Sequence, residues 1–144
     1  MSDQSYASHT RFYPPFHFVL IPALLLGLGG AYVNLRQSMG DHDRLYSASL
    51  LVLVLVTLIL TALFARMFAL KAQDRAIRAE ENLRHFVLTG KLLDSKLKLR
   101  QIIGLRFAAD DEFVALAQKA AASGMSQKEI KKAIVHWRAD HDRV

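Results

Sequence analysis

Two stretches without a single charge constrain this chain more than any other feature. Phe18 to Leu35 reads FVLIPALLLGLGGAYVNL, and Leu45 to Ala65 reads LYSASLLVLVLVTLILTALFA. A helix rises about 1.5 Å per residue and the hydrocarbon core of a bilayer is about 30 Å thick, so each stretch is long enough to cross it. Only Arg36 to Arg44 lies between them. Two spans that close in sequence must return to the same side. The expected fold is therefore an all-α membrane protein built on a two-helix transmembrane hairpin. The rival reading is a cleaved signal peptide with Gly29-Gly30-Ala31 as its small-residue site. It fits less well, because the apolar run is long for such a segment and Tyr13-Pro14-Pro15 precedes it in place of a compact basic region.

Charge gives the hairpin a direction. Sixteen of the nineteen Lys and Arg lie at or beyond Arg66, with ten of the thirteen acids. Lys and Arg near span ends stay on the cytoplasmic side. Arg66, Lys71, Arg75, Arg78 and Arg84 follow the second span, whereas Arg36 and Arg44 in the connecting loop are offset by Asp41 and Asp43. Both termini are therefore expected in the cytoplasm, a side that Arg11 also fits. Phe12, Tyr13, Phe16, Phe64 and Phe68 would mark the inner interface, and Tyr32 and Tyr46 the outer one. The bilayer is the first expected partner, with Arg66, Lys71, Arg75 and Arg78 contacting inner-leaflet lipid, where each basic residue gains about 1 kcal/mol from anionic headgroups. Lys91, Lys96, Lys98, Arg100 and Arg106 are placed to fold back on the same surface.

Four segments follow: residues 1–15 as an N-terminal cytoplasmic piece, 16–65 as the hairpin (spans 16–35 and 45–65, outer loop 36–44), 66–89 as a cytoplasmic extension of the second span, and 90–144 as a small helical unit. Pro22 should kink the first span. Ala23, Gly27 and Ala31 recur every fourth residue and form a stripe on which helix backbones can approach closely. Ser49, Leu53, Thr57, Thr61 and Ala65 offer the same spacing on the second span. The stripes read as the hairpin's own contact, with a homodimer through Gly27 as the alternative.

No Gly or Pro interrupts Arg66 to Thr89, so one helix is expected from Tyr46 to Thr89, with Gly90 as its C′ residue. Asp74–Arg78 and Glu80–Arg84 are favourable i,i+4 pairs along it. On this extension Ala62, Ala65, Ala69, Ala72, Ala76, Ala79, Leu83 and Phe86 alternate spacings of three and four. That is an a/d seam made largely of alanine, suited to a closely packed helix from a second copy, from the chain's own tail or from a foreign subunit. Three short helices complete the chain. The first runs Lys98–Phe107. The second begins at Asp110 as N-cap and ends at Gly124. The third opens on the capping box Ser126-Gln127-Lys128-Glu129 and presents Ile130, Ala133, Ile134 and Trp137 on one face.

The segments RFYPPFHFVLIP and LRFAADDEFVALAQKAAASGMSQKEIKKAIVHWRADHDRV resemble a small family of bacterial two-span membrane proteins known only as a domain of unknown function. The resemblance covers nearly the whole chain. It implies a bacterial inner membrane and carries over no site residue.

Chemistry-bearing constellations are few. The absence of cysteine removes disulfides, thiolate catalysis and cysteine-ligated metals. GxSxG, P-loop and HExxH motifs are missing, and the cluster Asp110-Asp111-Glu112 reads as helix capping, so no enzyme is expected. Of the six histidines, His9, His17, His42, His85, His136 and His141, only His17 touches a span, which argues against haem between the spans. His136, Asp140 and His141 have a metal-like spacing but read as a solvated helix end, so no metal and no cofactor is expected. Spans without ionisable residues argue against transport.

Ala120, Gly124, Met125, Ile130 and Ala133 resemble a helix-turn-helix, with Lys128, Lys131 and Lys132 on its second helix. Lys119 stands where that motif wants an apolar residue, and a nucleic-acid partner is not favoured. The reading is a non-enzymatic accessory or scaffolding subunit of a larger membrane assembly, or a homo-oligomer joined through helix seams. The alternative is a membrane-tethered regulator whose last helices bind nucleic acid.

Overall fold

The computed structural model describes residues 13–139, and all regular elements among these residues are helices. The expectations resting on His9, Arg11, Phe12, Asp140 and His141 lie outside the described residues. In chain order the helices are α1 (Pro15–Gln37), α2 (His42–Thr89), α3 (Leu99–Leu105), α4 (Asp110–Ser123) and α5 (Gln127–Ala133). They belong to two compact units that divide between Ala69 and Leu70.

In the first unit α1 opens with six residues of π-helix, Pro15–Leu20. The Ile21 N–H reaches back to the Phe16 carbonyl, one residue further than an α-helix would. Pro22 follows at once and cannot donate, so the widened turn meets the proline where an α-helical ladder would be interrupted. The expected disturbance is thus a π-helical opening ahead of Pro22. α1 ends at Ser38, whose N–H and hydroxyl both reach the Asn34 carbonyl (3.0 and 2.8 Å). Gly40 then turns the chain at φ +103°, a conformation that suits glycine. Asp41 accepts the Arg44 N–H at 3.2 Å through its carboxylate and the Leu45 N–H at 2.8 Å through its carbonyl. This cap lets α2 start at His42, and only Ser38 to Asp41 connect the two helices.

Burial along the two helices is periodic. On α1 His17, Ile21, Leu24, Leu28, Ala31, Leu35 and Ser38 beyond it are shielded, with Phe16 and Pro22 beside them; on the part of α2 up to Ala69 the shielded positions are Leu45, Ala48, Val52, Leu55, Ile59, Ala62 and Arg66. Both series alternate three and four, the spacing of a left-handed helix pair. Gly27 lies against Leu55 and Phe16 lies under the Arg66 guanidinium, 5.1 Å from ring centroid to carbon. The small stripe is therefore only partly shielded. Ala31 is buried and Gly27 sits beside Leu55, but Ala23 is exposed, and on α2 the shielded small residues are Ala48 and Ala62. Elsewhere in this unit the two helices are largely exposed among the described residues, with Phe18 at 67 % and Leu26 at 78 % exposure.

Gly27 gives a graded test. A Cβ there would stand 3.5 Å from Leu55, an ordinary contact, so Gly27→Ala should leave thermal unfolding of the detergent-solubilised protein unchanged or slightly higher. Gly27→Ile pushes further carbons into Leu55 and should cost about 1–3 kcal/mol. Leu26→Ile should do nothing measurable. Equal losses at both positions would mean that Gly27 is not at a contact.

The second unit closes around Leu105, Phe107, Phe113, Ala120 and Ile130, all without solvent contact. Gly104 lets α3 cross α5: a Cβ there would come within 3.3 Å of the Gln127 carbonyl and of Ile130. Gln101 is buried and ties two helix ends together, since its Oε1 accepts the Lys98 N–H (2.7 Å) and its Nε2 donates to the Met125 carbonyl (2.7 Å). α4 ends at Gly124 in the left-handed region, and Ser126 and Glu129 form the expected capping box on α5.

Two expectations fail in this unit. The N-cap of α4 is Ala109, one residue earlier than Asp110, and its side chain makes no cap. The last helix ends at Ala133, so Trp137 does not share a helical face with Ile130. Ile134 is extended, and the chain pairs in antiparallel fashion with the α3–α4 connection, Ala109 N–H to the His136 carbonyl (3.0 Å) and Arg138 N–H to the Phe107 carbonyl (2.7 Å). The cause is Glu112, whose two carboxylate oxygens accept the Val135 and His136 N–H groups at 3.0 and 2.9 Å. A carboxylate so placed holds those N–H groups in an extended strand more effectively than a solvated helix end would.

Candidate functional site

The C-terminal end of α2 contributes a polar clasp to the second unit. Arg84 is almost wholly buried. Its Nη1 donates to Glu81 at 3.1 Å, its Nη2 to the Ala108 carbonyl at 2.7 Å, and its Nε to Asp110 at 2.7 Å, with Nη2 also paired to Asp110 at 2.6 Å. The guanidinium carbon sits 4.2 Å above the centroid of Phe113. Planar geometry with five donors suits this work, as a lysine would not. The next residue, His85, is buried, shares its Nδ1 with the Lys91 carbonyl at 2.7 Å, and meets the Phe113 ring edge-on at 6.0 Å. Burial pushes the Glu81 carboxyl above the ordinary glutamate range, and the neighbouring Arg84 partly offsets this.

The i,i+4 pair expected between Glu80 and Arg84 is therefore replaced. Arg84 turns to Glu81 and Asp110, and it is a packed structural cation. Asp110, Asp111 and Glu112 are likewise more than a helix start. Asp110 holds Arg84, Glu112 holds the chain at Val135–His136, and Asp111 accepts from His136 Nδ1 at 2.7 Å. That last hydrogen bond holds the Asp111 carboxyl below the usual aspartate range. Each of these groups fastens one part of the chain to another, so the cluster works as a clasp. Among the described residues no group of three His, Cys, Asp or Glu is placed around a common metal position.

Beyond the clasp, α2 shows three faces. Ile77, Glu81 and His85 are buried. Lys71, Arg75 and Arg78 lie on a second, exposed face. Ala69, Ala72, Ala76, Ala79, Leu83 and Phe86 lie on a third, also exposed, with Leu83 at 63 % and Phe86 at 51 %. At 3.6 residues per turn this third face is roughly 170° from the buried one. Among the described residues, the chain's own tail therefore does not occupy the alanine seam. It fastens instead to Arg84 and His85, on the side that hydropathy reads as outward.

The remaining cations are spread out. Lys96, Lys98, Arg100 and Lys128 rim an open groove of about 510 Å³ floored by Gln101, Ala120 and Met125. On the two-turn α5, Lys131 leans over the Phe107 ring at 5.0 Å, while Lys128 and Lys132 are exposed. Arg106 also stacks on Phe107, at 4.7 Å, and is buried, so it does not belong to the exposed basic surface.

No match to the chain was found among curated proteins or among solved structures. One family model does match, over residues 1–144, and it carries no assigned activity. The chain thus belongs to the family of unknown function DUF6526.

Proposed function

We propose that this is a non-enzymatic integral membrane protein of the bacterial inner membrane, an accessory or scaffolding subunit of a larger membrane assembly. The observation that carries the reading is the exposure, among the described residues, of α1 and of the apolar first half of α2. Water would penalise that surface by about 25 cal/mol per Å², whereas lipid would not. α1 and the first half of α2 then form a transmembrane hairpin, with Ser38–Asp41 outside and both termini in the cytoplasm, as the Lys/Arg asymmetry favours. Arg66, held over Phe16, and Lys71 fall at headgroup depth. Arg75 and Arg78, ten or more residues past Ala65, stand roughly 15–20 Å beyond the core edge, clear of the headgroups if α2 runs upright.

The role in assembly follows from the third face of α2. Leu83, Phe86 and four alanines in register form an apolar strip on a part of the helix that has left the bilayer, and such strips mark contact sites. Extraction in a mild detergent, followed by sizing and identification of co-purifying chains, tests the proposal. A particle larger than one chain plus detergent is expected. A monodisperse single chain with nothing bound would contradict it.

A further inference from the structure

We propose that the occupant of the α2 seam is a second copy of this chain, packed in parallel through Ala72, Ala76, Ala79, Leu83 and Phe86, with Arg75 of each copy paired to Glu80 of the other. The inference rests on the membrane reading above. Two copies with one topology in one membrane necessarily run their α2 helices in the same direction, and a two-fold axis along the helices then brings each seam against itself.

The register supports this occupant. With Ala76 and Leu83 as a positions and Ala72, Ala79 and Phe86 as d positions, Arg75 is a g residue and Glu80 is the e residue five places on. In a parallel pair these are the two that meet across the interface, and symmetry makes the bridge twice. The other flanking positions along this stretch, Phe68, Gln73, Asn82, Val87 and Thr89, are uncharged, so no like charges oppose each other. Both Arg75 and Glu80 are exposed, while the neighbouring Glu81 and Arg84 are committed to the clasp. Alanine at successive a and d positions permits helix axes near the short end of the usual 8–10 Å range. Leu83 and Phe86 supply the larger buried side chains where the seam ends.

The chain has no cysteine, so single replacements report cleanly. In native membranes under mild oxidation, Ala76→Cys should form a disulfide-linked dimer, since facing a positions bring Cα atoms within disulfide reach. Arg78→Cys, on the basic face, should remain monomeric. In the Ala76→Cys background, Glu80→Arg should reduce cross-linking at least several-fold, and Arg75→Glu with Glu80→Arg should restore it. All of these sites are exposed, and Trp137 fluorescence confirms that each variant is folded. Equal cross-linking at positions 76 and 78, or cross-linking indifferent to the charge swap, overturns the proposal. A monomeric Ala76→Cys protein that co-purifies with a different chain overturns the second copy but leaves the assembly reading standing. A monomeric protein that co-purifies with nothing removes both.

Discussion

Arg84→Met should destabilise the unit beyond Leu70 by about 3–5 kcal/mol, because it leaves the buried Glu81 carboxylate without its cation and the Ala108 carbonyl without its donor. For a unit of this size such a loss lowers the unfolding midpoint by more than about 10 °C. Trp137 is the only tryptophan and packs 5.2 Å from Phe107, so its fluorescence reports this unit selectively. The double change Glu81→Leu with Arg84→Met should recover much of the loss, since replacing both members of a buried pair by apolar residues is often close to neutral.

The variant should also respond to pH in a defined sense. A carboxyl whose pKa is raised on folding binds its proton more tightly in the native state, so stability falls as pH rises through the interval above the unfolded value. In Arg84→Met the opposing cation is gone and the interval widens, so the variant should regain stability as pH is lowered towards 5. Glu81→Gln should abolish that response. A midpoint for Arg84→Met within a degree or two of the parent would mean that the clasp does not hold the unit.

Phe113→Ala is expected to be equally severe. Phe113 has no solvent contact and meets three things at once: the Arg84 guanidinium, the edge of His85 and the core around Leu116 and Ala117. Removing a buried phenylalanine ring costs about 3–5 kcal/mol through lost transfer energy and the cavity left behind. Phe113→Leu keeps most of the volume and loses the aromatic contacts, so its cost should be about 1–2 kcal/mol. The order Ala, then Leu, then parent in Trp137-detected melting checks the assignment. Equal effects of the two replacements would show that the aromatic contacts, which both variants lose, outweigh the volume that leucine retains.

Local signals in the sequence translate well into structure. The end of α2 at Thr89, the left-handed Gly124 and the Ser126–Glu129 box are set by residues within one turn of the feature, and each is read correctly from composition and spacing. The contact face of the two apolar helices is not legible in the same way. A helix that is apolar all round has no polar side to point away from, so periodicity cannot reveal that Leu24, Leu28 and Leu35 are more shielded than Ala23. The small-residue stripe is the only signal available there, and it does not separate the buried Ala31 from the exposed Ala23.

The clasp is hidden for the opposite reason. Glu81, Arg84 and His85 are charged or polar, and hydropathy assigns them to solvent. Only three-dimensional proximity to Asp110, Phe113 and Lys91 shows that their burial is compensated. Trp137 is misplaced because an i,i+3 continuation from Ile134 looks helical. The competing acceptor, Glu112, lies more than twenty residues away in the chain.

The central claim, that the two apolar helices form a hairpin with both termini in the cytoplasm, has a direct measurement. An enzyme reporter active only outside the cytoplasm is inserted at Gly40, in the turn between α1 and α2, or fused after Val144. The account requires high activity at Gly40 and none after Val144. Activity after Val144, or silence at Gly40 in a protein that is inserted and intact, would contradict it.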